Sequence, residues 1–97
     1  MVVSPACYSI RIITSKARSI WDTFDVKLKQ EIEDELCARP KHDPNHPRSR
    51  RHLKGKILGK NRRCHWEYRE LPDAWRVFYT VNERTRLVEI EYIGPHP

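Results

Sequence analysis

Residues Arg63–His96 read RCHWEYRELPDAWRVFYTVNERTRLVEIEYIGPH, and this stretch decides the fold. Trp66 and Tyr68 alternate with His65, Glu67 and Arg69. Trp75, Val77, Tyr79 and Val81 alternate with Arg76, Phe78 and Thr80. Val88, Ile90 and Tyr92 alternate with Glu89, Glu91 and Ile93. A period of two marks a strand with one buried and one more polar face. Pro72-Asp73 and the run Asn82 to Arg86 carry turn residues, so the sequence predicts a three-stranded antiparallel meander.

The first hairpin of that meander predicts its own register. With Pro72-Asp73 at the tip, Glu70 faces Trp75, Arg69 faces Arg76 and Tyr68 faces Val77. Only this register puts both apolar sets on one face, because a slip of one residue turns one set outwards. It also opposes Arg69 to Arg76, and like charges in directly opposed positions destabilise a sheet. Either the two guanidiniums are solvated on an open face with Glu67 as counter-ion, or they hold an anion between them. Arginine is the side chain best suited to a bidentate grip on phosphate.

Upstream, Cys7 to Thr14 (CYSIRIIT) is rich in β-branched residues and reads as a strand. Ser15 offers an N-cap, and Ala17, Ile20, Trp21 and Phe24 follow at helical spacing. Asp25 caps a second helix with Leu28, Ile32 and Leu36 as its apolar stripe. This helix ends by Arg39, since Pro40 disfavours α conformation in the residue before it. Its acidic run, Glu31, Glu33, Asp34 and Glu35, reads as a solvated face. A short αα-hairpin cannot bury such a stripe alone and needs the sheet. The expected fold class is therefore α+β: one N-terminal strand, a two-helix hairpin, then the meander, in one small twisted sheet packed on the helices.

The chain has 97 residues, enough for a single domain over 1–97 with one core. Its net charge of +6 favours an anionic partner. The charge is uneven: Arg39 to Arg63 holds ten Lys/Arg against one acid, Asp43, and is net +9, so the remainder is −3. Between Pro40 and Arg62 nothing is periodic, and a basic loop of about 20 residues is expected there, of a length that is functional or disordered. Leu53, Ile57 and Leu58 are candidates to pin it to the core. The odd and widely spaced Cys7, Cys37 and Cys64 argue against a disulfide framework. No apolar run approaches the roughly 20 residues that span a membrane, and no secretory signal is apparent, so no membrane partner and a cytoplasmic location are expected.

The element order, with LKG at Leu53–Gly55, YREL at Tyr68–Leu71, WRVFY at Trp75–Tyr79 and IGPH at Ile93–His96, resembles the RelE/ParE toxin superfamily over essentially the whole chain. The resemblance implies a cognate antitoxin protein as partner. It also implies one of two activities. RelE-, YoeB- and HigB-like members cut mRNA on the ribosome without a metal, so no cofactor is expected. ParE-like members inhibit DNA gyrase and have no established nuclease activity. The mRNA-cutting branch is the favoured reading. The alternatives are a ParE-like gyrase inhibitor, for which YREL speaks, and an inactive relative that binds only RNA or antitoxin. By position, Arg76 stands where the RNA-cutting branches have a phosphate-gripping arginine, and Arg69 where RelE has a basic catalytic residue. His96 stands where YoeB-like members have a catalytic histidine. Arg51 departs from the pattern, standing where YoeB-like members carry a glutamate.

Metal-free RNA cleavage by the 2′-OH needs a base, positive charge for the dianionic transition state, and an acid for the leaving 5′ oxygen. Arg69 and Arg76 are the candidates for charge. His96, whose imidazole can carry a proton, is the candidate acid. Glu67 lies on the same strand face as Arg69 and is a candidate base or a mere counter-ion. Arg48, Arg50, Arg51, Lys54, Lys56 and Lys60 are expected to bind RNA backbone without reading sequence. Cys64 and His65 are adjacent on a strand and point to opposite faces, so they do not form a nucleophile–base dyad. His42, His46 and His52 fit no standard zinc spacing, and no metal is expected. Trp66, Trp75 and Tyr79 read as core rather than as base-stacking platforms.

Overall fold

A computed structural model describes residues 8–41 and 47–97. Cys7, His42, Asp43 and His46 lie outside the described residues, so the start of the first strand and two of the three zinc-candidate histidines do too. The elements are β1 (Ser9–Ile12), α1 (Ser15–Trp21), α2 (Val26–Ala38), β2 (Arg50–His52), β3 (Lys56–Ile57), β4 (Lys60–Asn61), β5 (Trp66–Tyr68), β6 (Trp75–Asn82) and β7 (Leu87–Pro95). A 3₁₀ turn over Pro72–Ala74 joins β5 to β6.

The sheet order is β1-β7-β6-β5-β2, with β1 parallel to β7 and the other pairs antiparallel. The expected meander is β5-β6-β7, and the α+β class holds. The hairpin register is the one required by the apolar sets: Trp66, Glu67 and Tyr68 face Tyr79, Phe78 and Val77. Asp73 and Ala74 make the turn with φ of 59° and 58°, a conformation that aspartate tolerates better than most residues.

Both helices lie on one face of the sheet. Ala17, Trp21, Ile32 and Leu36 pack on Tyr68, Val77, Tyr79, Val88, Ile90 and Ile93, all nearly or fully buried. Asp25 caps α2 by accepting the Leu28 N–H at 2.8 Å, and α2 ends at Ala38 before Pro40. The cap of α1 is Thr14 rather than the expected Ser15: its hydroxyl accepts the Ala17 N–H at 3.2 Å. The same hydroxyl donates to the Glu91 carbonyl at 2.9 Å and so fastens the helix start to β7.

Two expectations fail. The 40–62 segment is not wholly irregular, for Arg50–His52 forms an edge strand on β5 and Lys56–Ile57 pairs with Lys60–Asn61 as a separate small hairpin. Strands of two or three residues are too short to show a period. The uniform alternation expected along β7 also breaks, because Phe78 pairs with Tyr92 while Tyr79 pairs with Ile90. Glu91 is thus the extra residue of a β-bulge, which reverses the facing of everything after it. Ile93, not Tyr92, enters the core, and Tyr92 turns to the outer face against Phe78 with ring centroids 5.0 Å apart.

Candidate functional site

Strand alternation fixes what the outer face, away from the helices, displays. Cross-strand partners share a face, so Arg51, Glu67 and Phe78 align across β2, β5 and β6 on that side. Arg76, two residues before Phe78 on β6, joins them, with Gly94 opposite it on β7. The pairing of β5 with β6 ends at Tyr68 and Val77, one position short of Arg69 and Arg76, which still meet about Glu67.

The arginine pair is not left to repel. Glu67 lies between them with Oε1 at 3.6 Å from Arg69 Nε and Oε2 at 3.7 Å from Arg76 Nε. Its side chain is only 5% exposed, against 35% for Arg69 and 12% for Arg76. These separations are ion pairs rather than hydrogen bonds. Arg76 Nη1 donates to the carbonyl of Ala74 at 2.9 Å, while its buried Nε–H has no hydrogen-bond acceptor among the described residues. An unmade hydrogen bond on a buried charged donor is costly, and a bound anion would relieve that cost.

Beside this trio lies a cleft of about 190 Å³ lined by Arg51, Leu53, Lys54, Ile57, Glu67, His96 and Pro97. Its walls combine three apolar side chains with two cations, a carboxylate and an imidazole. His96 is exposed, with Nδ1 at 2.9 Å from the Pro97 carbonyl oxygen. Residues from β2, β3, the link between them and β5 thus meet the chain's C-terminal segment at one place. A hollow of about 230 Å³ on the helix side, lined by Phe24, Leu28, Leu71, Pro72, Asp73 and Trp75, lacks any such set of polar groups.

The expected backbone-binding residues divide. Arg51 and Lys54 line the cleft. Arg48 and Lys56 are exposed elsewhere on the basic segment. Lys60 is exposed but reaches Glu91. Arg50 is a correction: its partner across the strands is Tyr68, so it points to the helix side. There its guanidinium, 1% exposed, pairs with Glu35 at 2.7 Å, donates to the Arg39 carbonyl at 3.0 Å and covers the Tyr68 ring at 4.9 Å. These contacts hold the Arg50 guanidinium on the helix side, away from the residues that line the cleft. Burial pushes the Tyr68 phenol up to about 12, with the neighbouring Arg50 charge opposing the shift.

The residues that alternation alone does not reveal surround Glu91. Its carboxylate meets Lys60, lies 2.6 Å from His65 Nε2 and 3.5 Å from Arg62 Nη1. Burial by itself would raise the Glu91 carboxyl, but the hydrogen bonds from Lys60 and His65 and their charges outweigh it and hold it below the usual carboxylate range. Arg62 also donates to the Ile57 carbonyl at 3.1 Å and covers the Phe78 ring at 5.4 Å. The bulge residue is therefore the anchor that holds the small β3–β4 hairpin over the outer face. Cys64 is exposed in the turn before β5 and His65 is buried just ahead of that strand, so neither stands on a strand as expected. Among the described residues no cluster of three His, Cys, Asp or Glu can hold a metal ion, and no helix is long and apolar enough to cross a membrane.

No family model and no curated protein matches the sequence. Solved structures do match in fold. The Escherichia coli RelBE toxin–antitoxin complex aligns with a TM-score of 0.56 at 13% identity, covering 93% of this chain and 98% of that one. Escherichia coli RelE in the free state gives the same score and identity over 94% and 84% of the two chains. The RelBE2 toxin–antitoxin complex of Mycobacterium tuberculosis gives 0.50 at 18% identity, over 93% and 99%. The chain has a RelE-like fold.

Proposed function

We propose that this RelE-like chain is the toxin of a toxin–antitoxin pair and that it cuts mRNA on the ribosome by metal-free attack of a 2′-OH on the adjacent phosphate. The observation that carries the reading is the buried Arg76 Nε–H, which has no hydrogen-bond acceptor among the described residues and sits with Arg69 about one carboxylate at the edge of a basic cleft. Arg76 and Arg69 stabilise the dianionic transition state, a single such donor being worth on the order of 3 kcal/mol. His96, exposed at the cleft wall, protonates the leaving 5′ oxygen, while the proton of the attacking 2′-OH passes to solvent water in the open cleft. Arg51 and Lys54 take the flanking phosphates.

Glu67 serves in this scheme as the group that orients the two arginines. Accepting a proton would put a neutral carboxyl between two guanidiniums and forfeit both ion pairs, so the counter-ion role fits the geometry better than that of general base. The cognate antitoxin is the second partner, as the matched RelE-type structures include toxin–antitoxin complexes. With ribosomes as its target, the protein works in the cytoplasm.

Induced expression of the chain without an antitoxin tests the reading. Growth arrest with truncated transcripts and intact chromosomal DNA is the expected result. Arrest with full-length transcripts and accumulating DNA breaks would point to gyrase inhibition instead, and normal growth to an inactive relative.

A further inference from the structure

The β3–β4 hairpin turns through Leu58 and Gly59, with φ of 54° and 74°. Two-residue hairpin loops need positive φ at both positions, and asparagine, aspartate or glycine adopt it without strain. Leucine does not, and strained residues that persist tend to mark sites of function. Nothing in the fold asks for this one. Leu58 is 52% exposed, one of three large apolar residues so exposed among the described residues. A Cβ added at Gly59, or at Gly55 at the hairpin base, would meet no atom within 4 Å, so the tip stands clear of the body.

The pairing of Lys56 with Asn61 and of Ile57 with Lys60 sorts the hairpin into two faces. Ile57 and Lys60 face inwards, to the cleft and to Glu91. Lys56 and Asn61 are exposed on the opposite face, beside the Leu58 tip. The anchoring of Lys60, Arg62 and His65 on Glu91 makes this a fixed projection rather than a loose loop.

We propose that the hairpin is a docking finger for double-helical RNA, inserted into a groove with Leu58 as an apolar tip, Lys56 on a phosphate and Asn61 donating to a groove acceptor. A convex, basic projection suits a concave, phosphate-lined partner, and A-form RNA offers a wide, shallow minor groove bordered by 2′-hydroxyls. Apolar side chains that enter nucleic-acid grooves act as wedges between bases. An acidic protein helix would need an apolar groove to lie in, and the hairpin offers a single protruding side chain. The proposal rests on RNA being the ligand, but it assigns duplex anchoring to a surface separate from the cleft that takes the strand to be cut.

The test is fluorescence anisotropy of the full chain with a blunt RNA duplex of about 16 base pairs, the span of a duplex-binding domain. Leu58→Gly is expected to weaken duplex binding about tenfold, the scale of burying one leucine side chain, while its Tm stays level or rises because glycine relieves the turn. The Arg69→Ala/Arg76→Ala double variant is expected to bind the duplex like wild type. Unchanged binding by Leu58→Gly would overturn the finger, as would an equal loss by the double variant. A parallel loss of poly-glutamate binding by Leu58→Gly would also overturn it, by showing an unselective docking surface for acidic chains. Loss of the nuclease reading would show separately, as cleavage that survives the double variant.

Discussion

The functional argument turns on three side chains, Glu67, Arg69 and Arg76, and on the difference between orienting charge and moving protons. If Glu67 only orients the arginines, Glu67→Gln leaves ribosome-dependent cleavage within about tenfold of wild type, whereas Arg76→Ala lowers it about a hundredfold. Single-turnover cleavage rates measure both. Arg50 separates stability from function in the opposite sense. Arg50→Ala strips Glu35 and Tyr68 of a buried partner and is expected to cost about 2 kcal/mol, less than a fully buried pair because the Glu35 side chain is 34% exposed. Denaturant titration reads that loss, and RNA affinity at a temperature where the variant is folded should not change. The sequence made the closeness of Arg69 to Arg76 legible, because it follows from a two-residue period and one turn. It did not make the Arg50–Arg51 division legible, because a three-residue strand has no period of its own and its facing comes from pairing with β5.

The element with most consequence is the bulge in β7. A bulge adds one residue without altering composition, so Tyr92 reads as core until pairing with Phe78 is known. It frees Glu91 to anchor the β3–β4 hairpin, and this anchor carries a pH signature. The Glu91 carboxyl is held below its ordinary value of 4.5 in the folded chain, against the push of burial and by its bonds to Lys60 and His65. Its contribution to stability is therefore complete above that value and is lost as pH falls through the lower, folded one. Glu91→Gln should lower Tm at neutral pH and flatten the further fall of Tm below about pH 4.5 relative to wild type, as calorimetry at descending pH would measure. Helix ends were more readable: Asp25 and Pro40 bound α2 as their backbone chemistry dictates, while α1 chose Thr14 over Ser15 as its cap, a choice between adjacent hydroxyls that propensity does not make.

Across the whole molecule, the two faces of the sheet have different work. The helix face holds the core, and the outer face carries Arg51 and Arg76 beside the cleft that Lys54 lines. Four cations, Arg51, Lys54, Arg69 and Arg76, sit at or beside the cleft, so single-stranded RNA affinity should fall with salt at a log–log slope of about −3. Titrations at several ionic strengths would give that slope, and the Arg69→Ala/Arg76→Ala variant should flatten it by about half. The fold was legible as a whole because strand periods and helix caps are local, but the cleft was not, because it joins β2, β5 and the C-terminal segment through pairings far apart in sequence. The most direct test of the central claim is to add the purified chain to a cell-free bacterial translation reaction and map mRNA 5′ ends, with the double alanine variant alongside. The account predicts codon-phased cuts that require translating ribosomes and vanish in the variant. Full-length mRNA in both reactions would contradict it and return the arginines to the role of surface charge.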